Sequence, residues 1–182
     1  MKHIYELSNV QDYALGYVYE NIEMVIYSAL CFFVSFFIGH PQIFVGITVN
    51  ALLITAALNL KNYKLLPVIL LPSLGVLSRG IVFGPFSKFL LYMIPFIWFG
   101  NTLLVFSFKY FNLKKKYNYA YTLVIGALLK GAFLFLSAFV LYKLSVLPVI
   151  FLTAMGFMQI VTAVSGGIVA YGIHHTKKVL IS

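Results

Sequence analysis

The sequence predicts an all-α fold, a polytopic integral membrane bundle of six transmembrane helices joined by short loops, and three observations predict it. Of 182 residues, 62% are hydrophobic and only 9% charged, whereas about a quarter of the residues in soluble domains are charged; the mean hydropathy is +0.99. No aspartate or glutamate occurs between Met24 and Ser182, and the thirteen lysines and arginines fall mostly in short gaps between apolar runs. Those runs approach the roughly 20 residues that cross a bilayer as a helix, whereas a membrane barrel needs segments of about ten residues alternating apolar and polar.

In chain order, hydropathy places the spans at about 24–39, 43–60, 65–79, 86–108, 119–142 and 147–173, all within one membrane domain covering the whole chain. Ahead of them, Ile4, Leu7, Val10, Tyr13, Ala14, Tyr17 and Val18 recur at helical spacing with Glu6, Asp12 and Glu20 between them. This pattern over about residues 1–21 predicts an interfacial helix, an inserted segment contributing to a site being the alternative. No cleavable signal segment is expected.

His40-Pro41 ends the first span, because the residue before a proline is pushed out of helical geometry. The second stops at the polar stretch Lys61, Asn62, Tyr63, Lys64. Pro67 and Pro72 predict a broken or kinked third span that fades into Ser78, Arg79 and Gly80. Gly84-Pro85 marks a turn, Pro95 a kink in the fourth span, and the basic cluster from Lys109 to Lys116 its end. The sixth span ends before His174, His175, Lys177 and Lys178, and the two histidines read as solvated.

The lysines set the orientation. With both termini cytoplasmic, Lys2, Lys61, Lys64, Lys109, Lys114, Lys115, Lys116, Lys177 and Lys178 lie inside, and Arg79, Lys88 and Lys143 outside, with Lys130 mid-span. That asymmetry is the positive-inside pattern of a multi-pass protein of the cell membrane. It also accounts for the net charge of +9 without nucleic acid, whose recognition needs a basic face rather than cations scattered between apolar spans. Cys31 is the only cysteine, so no disulfide framework exists.

Polar groups in hydrocarbon are costly, so those inside the spans carry the functional information. Asn50, Trp98, Asn101, Lys130, Gln159 and Thr162 fall near the middle third of four different spans when depth is counted at about 1.5 Å per residue. Lys130 costs about 2.5–3.5 kcal/mol at a helix centre on insertion scales, and no acid after Glu23 exists to pair with it. It is therefore neutral, wet, bound to an anion or to carbonyl groups, snorkelling, or in contact with a partner subunit. The amides read first as helix-to-helix hydrogen bonds and only second as ligand contacts. A second group, His40, Ser78, Arg79 and Lys88, flanks the turn from Gly80 to Pro85, and its cations make a positive mouth suited to an anionic or carboxylate-bearing ligand, or to lipid phosphates. Ala127 with Gly131, Thr162 with Gly166, and Ala163 with Gly167 have the four-residue spacing of close helix packing.

No phosphate-cradling glycine loop, metal-ligand spacing or nucleophile–histidine–acid set occurs within the spans, so binding rather than catalysis is expected, with no cofactor. The chain in these respects resembles the substrate-binding S component of an energy-coupling factor (ECF) transporter. The resemblance rests on about 180 residues in six short-looped spans, on the proline- and glycine-rich stretch LPSLGVLSRGIVFGPFSKF followed by IPFIWFGN, and on the last span FLTAMGFMQIVTAVSGG. It implies capture of a vitamin or other micronutrient near the outer face, and docking on a transmembrane coupling protein driven by an ATPase pair. It places Arg79, Lys88, Trp98, Asn101 and Gln159 near the ligand, with His40 beneath the first connection. The family's docking alanines are replaced here by Ser35 and Gly39. Two other readings stand beside it: an anchoring subunit of a larger complex, whose partner helices would meet Lys130 and the small-residue faces, and a lipid-modifying enzyme with a cleft around His40 or His174 and Ser78.

Overall fold

The computed structural model describes the backbone of all residues except 1, 13–15, 39–40, 84–86 and 182, and the side chains of all except these together with 2–4, 81–83, 87–88 and 180–181. Among the described residues the chain is all-helical, without strands. Its helices are α1 (Lys2–Ser8), α2 (Tyr17–Phe33), α3 (Gln42–Asn59), α4 (Leu65–Phe83), α5 (Ser87–Ser107), α6 (Tyr119–Lys143), α7 (Ile150–Met155) and α8 (Phe157–Ile181). Two of them widen into π-helical turns at their ends, α2 over Val34–Ile38 and α5 over Phe108–Lys114. Among the described residues five stretches are long and apolar enough to cross a membrane: Tyr17–Ile38, Gln42–Asn59, Phe89–Lys114, Tyr119–Lys143 and Ile150–Val179.

The central element is α3. Its sequence QIFVGITVNALLITAALN has no charge and no polar face, and every residue from Val49 to Asn59 is buried, as expected of a helix apolar all round. Small residues let its neighbour α8 approach. A Cβ added at Gly166 would lie 2.6 Å from the Ile47 carbonyl oxygen and 2.8 Å from the Ala51 nitrogen, and one at Gly46 would lie 2.8 Å from Thr162 Cγ2. The α4 helix meets α2 in the same way, with Gly75 set against the Phe32 carbonyl. Around α3 the apolar residues form two cores. One runs from Val49 to Leu60 on α3 through Leu65, Val68, Leu104 and Phe108; the other, at the opposite end, joins Met93, Leu134, Ala138, Leu147, Phe151 and Met155.

Several element boundaries differ from the sequence expectation. The segment over residues 1–21 is not one helix: α1 stops at Ser8, and α2 starts at Tyr17, so that residues 17–22 extend the otherwise short first span. Between them Asp12 meets the end of α3, its N donating to the Leu58 carbonyl at 3.0 Å. The third span does not break at its prolines and runs on to Phe83. Pro67 stands in the first turn, where a missing N–H is tolerated. Pro72 is interior, its ring crowding the carbonyls of the preceding turn, and neighbouring α5 satisfies two of that turn: Asn101 Nδ2 donates to Ile69 O at 3.0 Å and Trp98 Nε1 to Leu70 O at 3.2 Å. The sixth span is two helices, α7 and α8, divided at Gly156.

The lysine-bearing turns converge on one end of the bundle, where they meet the acids. Lys64 Nζ lies 2.8 Å from Glu20 Oε2 with both side chains almost fully buried, and Gln11 Nε2 donates to Glu20 Oε1 at 3.0 Å. Lys177 pairs with Glu23, which also accepts from Tyr27 at 2.9 Å. Lys109 Nζ donates to the Leu60 carbonyl at 2.6 Å and to the Val10 carbonyl. His174 is not solvated: its Nε2 sits 3.0 Å from Asp12 Oδ2, because α8 continues past the expected end and carries it under the N-terminal segment.

Candidate functional site

Between the two apolar cores lies a buried polar layer centred on Lys130, which α6 presents inward where Gly126, Ala127 and Gly131 are also buried. Lys130 Nζ donates to Asn50 Oδ1 of α3 at 2.6 Å and to Asn101 Oδ1 of α5 at 2.8 Å. Backbone carbonyls fix which face each amide shows to the lysine. Asn50 Nδ2 donates to Gly46 O at 2.8 Å and to Thr162 Oγ1 of α8 at 3.2 Å, and Asn101 Nδ2 to Ile69 O of α4. Five helices thus share one hydrogen-bonded layer, and Asn50, Asn101, Lys130 and Thr162 are each no more than 3% exposed.

Above this layer, on the side away from the lysine-rich end, is a cavity of about 690 Å³, within the size range of small-molecule sites. Asn50, Asn101, Lys130 and Thr162 form its floor, and Val45, Val49, Ile97, Phe151, Met155 and Met158 its walls. Gln42, Arg79, Gly80, Leu90 and Ile150, at the ends of their helices, mark its far side. From Asn50 to Gln42 along α3 the rise is about 12 Å, and from Ile69, which Asn101 holds, to Arg79 along α4 it is about 15 Å. Arg79 Nη1 donates to the Phe37 carbonyl at 3.3 Å, tying the end of α4 to the π-turn that closes the first long helix. Among the described residues lining the cavity there is no carboxylate. A smaller hollow of about 250 Å³ at the lysine-rich end is lined by Tyr17, Glu20, Lys61, Asn62, Tyr63 and Lys64, whose main charges already pair with each other.

Of the residues singled out in the sequence, Asn50, Arg79, Asn101, Lys130 and Gln159 line this one cavity. Trp98 stands behind its wall: the indole Nε1 donates at 2.7 Å to Ser73 Oγ, which lines the cavity. His40 lies outside the described residues, and Lys88 is placed only as part of α5, its side chain being outside them. Ser35, considered as a docking position, points the other way. It is fully buried, packs on Gly75 and lines the cavity.

Sequence reasoning missed Gln42, Ser73, Met155 and Met158 as lining residues. Ser73 had a signal, a hydroxyl directly after an interior proline in an otherwise apolar helix; the methionines had none, since a methionine in a membrane span is indistinguishable from packing. No group of three or more histidine, cysteine, aspartate or glutamate side chains able to hold a metal ion occurs among the described residues. The cavity offers a lysine with amides at its floor, an apolar shaft and an arginine at the far end. Comparison with known proteins returns no match, neither a protein-family model nor a curated protein nor a solved structure.

Proposed function

We propose that this protein is the substrate-capture subunit of an importer of the ECF type, holding a small anionic or carboxylate-bearing micronutrient in the cavity above Lys130. On this reading α4, 19 residues and so about 28 Å long, is a sixth span beside the five apolar stretches. Both termini are then cytoplasmic, the lysine-rich end faces the cytoplasm, and the cavity opens to the exterior of the cell. Transport energy comes from a coupling protein and an ATPase pair.

The observation that carries the proposal is the cavity itself: it has Lys130 at its floor and Arg79 at its far end, with no carboxylate among the described lining residues, and its lining lies on the side away from the lysine-rich turns. The anchoring alternative needs Lys130 and the small-residue faces to be left for partner helices. Here Lys130 is held by Asn50 and Asn101 of its own chain, and Gly131, Gly166 and Gly167 pack on Ile160, α3 and Leu123. A lipid-modifying cleft at His174 is disfavoured by that residue's pairing with Asp12 at the other end of the bundle from Ser78.

Purification in native lipid followed by mass spectrometry of the bound small molecules and proteins tests the assignment. An acidic metabolite together with an ATPase pair is the expected result. An unliganded chain with neither partner, or one bound only to unrelated membrane subunits, overturns it. Replacing Arg79 and Lys88 together by alanine is expected to weaken uptake of that metabolite by about tenfold through lost electrostatic attraction, with thermal stability nearly unchanged.

A further inference from the structure

Asn50 and Asn101 are not interchangeable donors and acceptors at this site. Each has its NH₂ group held by backbone carbonyls, Gly46 O and Ile69 O, so each turns its oxygen to Lys130 Nζ. Two amide oxygens therefore occupy two of the three donor positions that Lys130 Nζ has when protonated. Lys130 lines the cavity, and the third position is open to whatever fills it.

The charge balance points the same way. All four acids of the chain precede Met24, and three of them are committed at the opposite end: Asp12 with His174 and Lys178, Glu20 with Lys64, and Glu23 with Lys177. Among the described residues no carboxylate pairs with Lys130, whose partners are Asn50 and Asn101. A second polar group also waits at the cavity: Ser35 Oγ is fully buried, lines it, and has no hydrogen-bond partner among the described residues. Between the floor and Arg79 the walls at Val49, Ile97, Met155 and Met158 offer no charge.

We infer that the ligand of this cavity is an apolar-bodied organic monoanion that enters charged end first, its carboxylate or equivalent group seating on Lys130 Nζ, so that Lys130 rather than Arg79 sets the selectivity for anions. The inference rests on the capture reading and deepens it. Arg79, about 15 Å farther along α4, attracts the anion to the mouth, and the deep lysine holds it. The ligand supplies the negative charge that the chain lacks, and its hydrocarbon body replaces water along the shaft.

The test is a set of matched pairs, benzoate, cinnamate, hexanoate and octanoate against their primary amides, titrated into the purified protein. Trp98 is the only tryptophan, and its bond to the cavity-lining Ser73 makes its fluorescence the local reporter. At least one carboxylate is expected to bind about tenfold or more tightly than its amide, the margin of a charge-assisted contact. Lys130→Gln removes that preference, while Arg79→Gln lowers affinity and keeps the preference. Should Lys130→Gln fail to fold, Asn101→Asp serves in its place: the near-isosteric change gives Lys130 an internal counter-ion and abolishes the preference with the lysine still present. A preference that survives Lys130→Gln or Asn101→Asp but vanishes in Arg79→Gln overturns the inference and leaves the anion-capture reading standing. If no carboxylate outbinds its amide in the unaltered protein, the inference and the anionic-ligand reading fall together.

Discussion

Side chain by side chain, the polar groups of this protein divide into two sets with different work. The Lys130 layer faces the large cavity, whereas the Glu20–Lys64 pair beside the small hollow at the other end is almost fully buried, its side chains 2% and 4% exposed and Gln11 bonded to the remaining carboxylate oxygen. A pair desolvated to that degree leaves an uncompensated buried charge when one member is removed, which costs about 3–5 kcal/mol, whereas replacing both by hydrocarbon of similar volume is often neutral. Glu20→Gln is therefore expected to lower the thermal midpoint in detergent markedly, and Glu20→Leu combined with Lys64→Met to recover most of the loss. A single substitution without effect on the midpoint would show that the pair is hydrated. The sequence displayed one of these sets and hid the other. Lys130, Asn50 and Asn101 stand out because each interrupts an apolar run, so depth counting alone puts them on one level. Glu20 and Lys64 lie 44 residues apart, in segments that read as interfacial helix and loop, and no spacing rule joins them.

Among the helices, the small residues decide which surfaces meet. Thr162 and Gly166 mark the face of α8 that packs on α3, and Gly167 the adjoining face that receives Leu123 of α6. These spacings were legible because close approach in a membrane requires small side chains whatever the partner; the identity of the partner helix was not, since every apolar face is equally compatible with lipid. The division of the last span at Gly156 and the π-turns at Val34–Ile38 and Phe108–Lys114 were likewise illegible, because hydropathy is continuous through all three. Gly166→Ala is expected to destabilise by about 1–3 kcal/mol, the range for overpacking, because the added methyl meets the backbone at Ile47 and Ala51, which cannot rotate away as a side chain can. Since Asn50 Cβ lies 2.8 Å from the same position, the substitution also shifts an amide that holds Lys130, so binding of the carboxylate probe weakens along with stability. Gly172, which has open space around it, is the control. Gly172→Ala is expected to be neutral or mildly stabilising, by up to about 1 kcal/mol from helix propensity, and thermal melts of the two variants side by side make the comparison.

Taken whole, the molecule is polarised along its axis. Lysines and acids interlock at one end with a solid apolar core beneath them, the polar layer crosses the middle, and the cavity occupies the other half. Lysine counting read this axis from the sequence, because the charges that fix membrane orientation sit in the turns and the turns of alternate helices fall at one end. The proposed function depends on which way the axis points, for a capture site must face the side from which its ligand arrives. Lys143, exposed at the end of α6 on the cavity side, and Lys115, exposed after the π-turn of α5 on the lysine-rich side, report the two ends. Cys31 is fully buried and gives little background. In intact cells a membrane-impermeant maleimide is expected to label Lys143→Cys at once and Lys115→Cys only after permeabilisation. The reverse order would turn the cavity toward the cytoplasm, where Arg79 and Lys130 would present their anion site to the cell's own metabolites and the protein would belong to export rather than capture.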